Sequence, residues 1–161
     1  MKKDSFMDLY LSGPGWFKNL IDIGEWIIIV GTALIFPHPS LPKILSLKLF
    51  GVMLILIGIY IHWLAHQVHK QAHSPKEKIE KIVTTGIYSI IRHPCYASYF
   101  FLYLGTFFIF GTLSMLIPII LFCYIFYHSA LKEEKFLLEK FGKEYEKYLQ
   151  KVKWRFIPKL F

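Results

Sequence analysis

Apolar residues fill four stretches of the chain, near 20–36, 46–66, 95–110 and 113–130, and polar residues collect between them. A helix that crosses a bilayer needs about 20 mostly apolar residues, so each stretch meets or approaches a membrane span. The first is interrupted by Asp22 and Glu25. The third and fourth form one apolar block divided at Gly111-Thr112, which predicts a tight turn joining two antiparallel helices. Beyond it, Leu137, Leu138, Phe141, Tyr145 and Tyr148 recur at helical spacing among Glu and Lys. That pattern predicts a continuation of the fourth span into a C-terminal amphipathic helix, with Gly142 marking a break. Before the third span, Val83-Thr84-Thr85-Gly86 predicts an extended or turning segment and Tyr88–Arg92 a short helix. Pro94 suits the first turn of the third span, where a missing N–H is no loss. The N-terminus predicts an interfacial helix ending at Ser12-Gly13-Pro14-Gly15, and with no small-residue cleavage site after a clean apolar core it reads as mature sequence.

The pattern therefore predicts an all-α integral membrane protein of about four transmembrane helices, one domain over 1–161, with the N-terminal spans in 1–66. Composition agrees, because 55% hydrophobic and 18% aromatic residues exceed what a water-soluble globule of 161 residues carries. The formal charge of +8 raises the alternative of nucleic-acid binding, so the placement of the 19 Lys and Arg decides. Lys2, Lys3 and Lys18 precede the first span, Lys70, Lys76, Lys78, Lys81 and Arg92 lie between the second and third, and nine more run from Lys132 to Lys159. Only Lys43 and Lys48 fall in the remaining charged loop. The positive-inside rule then puts both termini and 67–94 in the cytoplasm, and 37–45 and the turn at 111 outside, with the cell membrane as the expected location. The basic surplus reads as topology and attraction to anionic lipid headgroups, with no nucleic-acid partner.

Cys95 and Cys123 stand apart without paired spacing and imply neither a disulfide nor a zinc framework. His62, His66, His69 and His73 recur at i, i+4, i+7 and i+11, one face of a helix entering the cytoplasm. Imidazoles one turn apart can share an ion, but His-box oxygenases need more His, and His38, His93 and His128 are scattered. No metal is expected, and the face reads as interfacial. Arg92 and His93 at the mouth of the third span either snorkel at the interface beside an aromatic belt of Tyr88 and Tyr96, or bind something. Glu133 and Glu134 follow the fourth span within about a turn of the membrane surface; adjacent residues on a helix diverge by about 100°, so one is expected to face a pocket and the other solvent or Lys.

Taken together, Gly-x-Tyr, Arg-His-Pro-x-Tyr, Glu-Glu-x-x-Leu and Phe-Gly-x-x-Tyr, from "GIYSIIRHPCY" through "EEKFL" to "FGKEYEKYLQKV" and a final Arg-Phe-Ile-Pro, resemble the isoprenylcysteine carboxyl methyltransferase family in its prokaryotic form, related to the membrane phospholipid methyltransferases. The likeness covers roughly 62–158. It implies an S-adenosylmethionine-dependent methyltransferase without a Rossmann domain, with 67–161 as the cofactor-binding catalytic region and S-adenosylhomocysteine as product. Carried over by position, Val83, Gly86, Tyr88, His93 and Tyr96 would surround the cofactor in a cytoplasmic pocket. Glu134, with Glu133 beside it, would meet its amino or ribose groups, and Arg92 its carboxylate or an acidic substrate. Arg155 matches an Arg of the prokaryotic relatives, and Lys151 stands where the eukaryotic pattern has its basic residue; with Arg92 they are the candidate catalytic cations. Glu80 departs from the family's usual His. The implied partner is a lipophilic small molecule or lipid, most simply a carboxylate. Methylation of a phospholipid or small amine, and a non-enzymatic membrane scaffold, are the alternatives.

Overall fold

The computed structural model describes residues 13–68 and 79–160. The N-terminal interfacial helix, His69 and His73 lie outside these. Among the described residues five α-helices follow one another: α1 (Gly15–Ile35), α2 (Leu45–Val68), α3 (Pro94–Phe110), α4 (Leu116–Phe141) and α5 (Lys143–Lys151). Short 3-10 turns at Gly86–Ser89 and Leu113–Met115 introduce α3 and α4. The described residues contain no strand, only isolated bridges. The apolar stretches thus all fold as helices, at nearly the expected limits.

Two helical segments are long and apolar enough to cross a membrane, Leu45–Val68 and Leu113–Phe141. The others fall short for identifiable reasons: α1 carries Lys18, Asp22 and Glu25, and α3 has 17 residues, about 25 Å at 1.5 Å each. Helices α2 and α3 run antiparallel in close contact. Gly51 faces Gly105 and Gly58 faces Ser98, and a Cβ added to Gly105 would sit 2.6 Å from the Gly51 carbonyl oxygen. Only hydrogen side chains permit that approach, which gains dispersion contact along both backbones. The outer face of α2, with Leu49, Leu56, Ile59 and Trp63, is exposed and apolar, as a lipid-facing surface should be.

A second packing layer joins α1, α3 and α4. Ile29 and Ala33 of α1 meet Tyr103 and Phe107 of α3 and Phe122 and Phe126 of α4. The two acids that interrupt the first apolar stretch turn inward here. Tyr99 donates a 2.8 Å hydrogen bond to Asp22, and Tyr103 donates to Glu25. Polar groups three apart on α1 thereby meet hydroxyls four apart on α3, which gives each acid a hydrogen bond against the cost of its burial, although Asp22 Oδ1 is left without one.

The loops gather at opposite ends. At one end Ser40 bridges Thr112, and Leu113 N–H donates to Pro39 O at 2.9 Å, so the 37–45 loop closes over the α3–α4 turn. At the other, α4 runs on past its apolar part into Lys132–Phe141. Gly142, at φ 52°, then reverses the chain into α5, a conformation that favours glycine. Tyr145, Tyr148 and Val152 form a small separate core against Ile82 and Leu137.

Candidate active site

The turn before α3 is built by pairing it with the C-terminal segment. Arg92 N–H donates to Trp154 O and His93 N–H to Arg155 O, both at 2.9 Å, and Arg92 Nη2 reaches Lys153 O at 3.2 Å. Tyr148 of α5 donates to Tyr88 O at 2.8 Å. These bonds satisfy backbone groups that the 3-10 turn leaves open. Pro94 then opens α3 as its first residue.

Around this scaffold the side chains converge on Glu134. Its Oε1 lies 3.3 Å from Arg92 Nη1 and 3.2 Å from His93 Nε2, while Arg155 Nε lies 3.1 Å from both carboxylate oxygens. Glu133 takes the other side of the imidazole, with Oε2 3.8 Å from His93 Nδ1 and accepting a 3.4 Å hydrogen bond from Tyr96. The expectation that the two acids would part ways is therefore corrected. The buried His93 ring is wide enough to meet adjacent carboxylates on its two nitrogens, so both turn the same way.

Glu134 stands beyond the apolar part of α4, among Lys132, Glu133 and Lys135. Burial by itself would raise its pKa, but hydrogen bonds from His93 and Arg155, with the fields of His93 and Arg92, overrule it and hold the carboxyl down at about 2. Burial pushes the Tyr88, Tyr145 and Tyr148 phenols up, so these rings stay neutral.

Two cavities flank the cluster. A polar one of about 40 Å³ is bounded by Val83, Tyr88, Arg92, His93, Glu133 and Tyr145. An apolar groove of about 210 Å³ lies between α3, α4 and the C-terminal segment, bounded by Tyr96, Ala97, Phe126, Tyr127, Phe156 and Ile157. A stack of rings links them: His93, which lines the polar cavity, lies 5.7 Å from Tyr96, which lines the groove, and Tyr96 lies 5.3 Å from Phe126. Phe156 covers His93 from the groove side at 5.9 Å.

Of the residues expected at the site, Val83, Tyr88, Arg92, His93, Tyr96, Glu133, Glu134 and Arg155 come together. Gly86 does not line the cavity; it is exposed at the head of the 3-10 turn, 3.0 Å from Val68 measured from an added Cβ. Lys151 is exposed at the end of α5 and touches neither cavity wall. Sequence reasoning missed the contribution of Phe156 and the tyrosines of α5. Tyr145 and Tyr148, three residues apart on one buried face of α5, were the available signal.

The sequence profile of phospholipid methyltransferases matches residues 46–144, well over half of the chain. The chain belongs to the phospholipid methyltransferase family. Within this family, it is similar to the protein-S-isoprenylcysteine O-methyltransferase of Saccharomyces cerevisiae, 33% identical over 108 residues, covering 63% of this chain and 45% of that one. The Xenopus laevis protein of the same name is 26% identical over 152 residues, 91% of this chain and 52% of that one. Protein-S-isoprenylcysteine O-methyltransferase B of Arabidopsis thaliana is 27% identical over 156 residues, 93% and 77% of the two chains. The chain thus spans about half the length of the first curated relatives it matches. The matched region of this phospholipid methyltransferase family member contains Arg92, His93, Glu133 and Glu134 but stops short of Arg155 and Phe156.

Proposed function

We propose that this chain is an S-adenosylmethionine-dependent methyltransferase of the membrane that esterifies a carboxylate on a lipophilic acceptor. The observation that carries this reading is the stacked His93–Tyr96 pair, in which His93 lines a charged cavity and Tyr96 an apolar groove. A water-soluble charged donor and a lipid-soluble acceptor need that kind of partition. The names of the curated relatives support carboxyl chemistry.

The residues of the polar cavity fit the cofactor. Arg92 Nε is buried without a hydrogen-bond partner, and Glu133 offers a carboxylate on the same cavity. Arg92 would meet the cofactor's carboxylate and Glu133 its ammonium through charge-assisted hydrogen bonds. Neutral rings at Tyr88 and Tyr145 would face its cationic part. When bound, the cofactor supplies an electrophilic methyl group. About 40 Å³ holds only a few water molecules, so admission requires the 79–83 segment to draw back. Glu134, saturated by Arg92, His93 and Arg155, acts as the brace of the site.

For the acceptor, Arg155 spends its Nε on Glu134 and keeps its terminal nitrogens for a carboxylate at the mouth of the Phe156-lined groove. A carboxylate with a reference pKa of about 3.3–3.7 is already ionised, so no general base is needed. Lys151 is a second cation on the same end of the molecule. All four long helices would cross the bilayer with both termini cytoplasmic. Supporting this, the cation-poor 37–45 loop and the turn at 111 close on each other, away from the Arg92 cluster.

The test is calorimetric titration of S-adenosylhomocysteine into protein in nanodiscs, with His93→Ala and Glu133→Gln, followed by radiolabelled transfer to a mixture of lipophilic acceptors that bear a carboxylate or an amine. Micromolar binding lost in both variants, and a label released by mild base, are expected. A label stable to base would shift the reading to an amine acceptor, and absence of binding by folded wild type would remove the methyltransferase reading.

A further inference from the structure

Tyr96 lines one compartment and bonds to a residue of the other. Its ring borders the apolar groove and stacks on Phe126, itself a groove residue, at 5.3 Å. It also stacks on His93 of the polar cavity at 5.7 Å. Its hydroxyl donates to Glu133 Oε2 at 3.4 Å, and Glu133 borders the polar cavity as well. The groove and the charged cavity are thereby joined through a single phenol.

That bond is long for a hydroxyl donating to a carboxylate, where about 2.5–2.7 Å is usual. Glu133 Oε2 also lies 3.8 Å from His93 Nδ1, so the carboxylate is held loosely between two neighbours. A cation entering the polar cavity would draw Glu133 to one position, and the Tyr96 hydroxyl with it. Tyrosine has only two side-chain torsions, so a hydroxyl held at the tip of Tyr96 fixes the ring face that the groove presents. A ligand in the groove then meets a wall whose ordering has already been carried by the first ligand.

We infer that Tyr96 is a positioning residue that couples the two compartments: through its bond to Glu133, a donor in the polar cavity orders the groove and raises its affinity for the acceptor's hydrocarbon tail. The inference rests on the donor and acceptor sites proposed for this chain. The coupling is reciprocal, because the factor by which one ligand tightens the other is the same in both directions. One hydrogen bond to a charged group sets its size, about threefold to tenfold.

S-adenosylhomocysteine titrated calorimetrically into nanodisc-embedded protein, with and without saturating dodecanoate, reads one direction. The other is read at Cys123, whose side chain borders the groove, as protection by dodecanoate against alkylation with N-ethylmaleimide, with and without S-adenosylhomocysteine. In wild type each ligand should tighten the other by about threefold to tenfold, the two factors being equal. Tyr96→Phe keeps the ring and removes the hydroxyl; it should bind both ligands while the factors fall to about one. Tyr99→Phe, one turn along α3 and bonded to Asp22, should couple within about twofold of wild type. A merely structural role for Tyr96 would shift both affinities and leave the factor between them unchanged. Ligand-free melting temperatures control for folding, with Tyr96→Leu replacing the phenylalanine variant if that fails. Independent binding in wild type, coupling that survives loss of the hydroxyl, outright loss of either ligand by the folded variant, or no protection of Cys123 by dodecanoate would each overturn the inference and leave wild-type cofactor binding in place. No binding of S-adenosylhomocysteine by folded wild type would instead remove the methyltransferase reading, and the coupling with it.

Discussion

Glu134→Gln isolates the brace of the site, because the amide keeps the volume of the side chain and removes its charge. In the wild type one carboxylate faces Arg92, His93 and Arg155, and its own side chain is 10% exposed. Holding its pKa at about 2 against an ordinary 4.5 amounts to roughly 3 kcal/mol of native-state preference for the charged form. Arg155 is about a third exposed, so solvent screening lowers the expectation to about 2–3 kcal/mol. Breaking a buried ion pair by removing one partner gives a similar figure, about 3–5 kcal/mol. The sign with pH follows from the depressed value. The stabilisation is complete above pH 4.5 and is lost as pH falls from there through about 2. Unfolding in lipid–detergent mixtures at pH 7 should show the variant weaker by about 2–3 kcal/mol, and this difference should shrink on acidification. A double-mutant cycle with Arg155→Gln should return a coupling of about 1 kcal/mol or more. A variant within about 0.5 kcal/mol of wild type at pH 7, with the same acid dependence, would refute the bracing role.

Two further outcomes follow from the packing and from the narrow polar cavity. Gly105→Val forces side-chain atoms into the Gly51 backbone and should cost about 1–3 kcal/mol or more, read as a lower melting temperature, whereas the same change at Gly24, where an added Cβ meets nothing within 4 Å, should cost no more than about 1 kcal/mol. Because 79–83 must move to admit a nucleoside-sized ligand, hydrogen exchange of amides in 79–88 should change on addition of S-adenosylhomocysteine while those of Leu54–Gly58 do not.

The helices were legible because apolar runs and their punctuation, Pro94, Gly111 and Gly142, are local signals. The conjunction Arg92-His93-Pro94 with Glu133-Glu134 also marked the cluster of ionisable side chains, since each motif keeps its members adjacent. What stayed hidden depends on long-range pairing. Nothing local in Asp22 and Glu25 reveals Tyr99 and Tyr103 as their partners, so the first span looked merely interrupted. The 100° divergence of adjacent helical residues was correct geometry, yet it ignored a ring on another helix that presents two nitrogens. The exposure of Lys151 and Gly86 likewise depends on how α5 and the 3-10 turn dock, which spacing alone does not fix.

The bonds from Arg92 and His93 to residues 153–155 span some 61 positions of chain. The spans can be threaded into the bilayer and packed while that half of the wall is still to come. On the proposed reading, biogenesis divides into insertion of the apolar helices and later completion of the Arg92 turn by residues 153–155. A chain interrupted after Phe141 would keep its apolar helices and its lipid-facing surface, yet lack Arg155, Phe156 and the strand-like contact that shapes the Arg92 turn. Such a product would pass as a membrane protein to any quality control that reads hydrophobicity, while lacking the acceptor side of the proposed site.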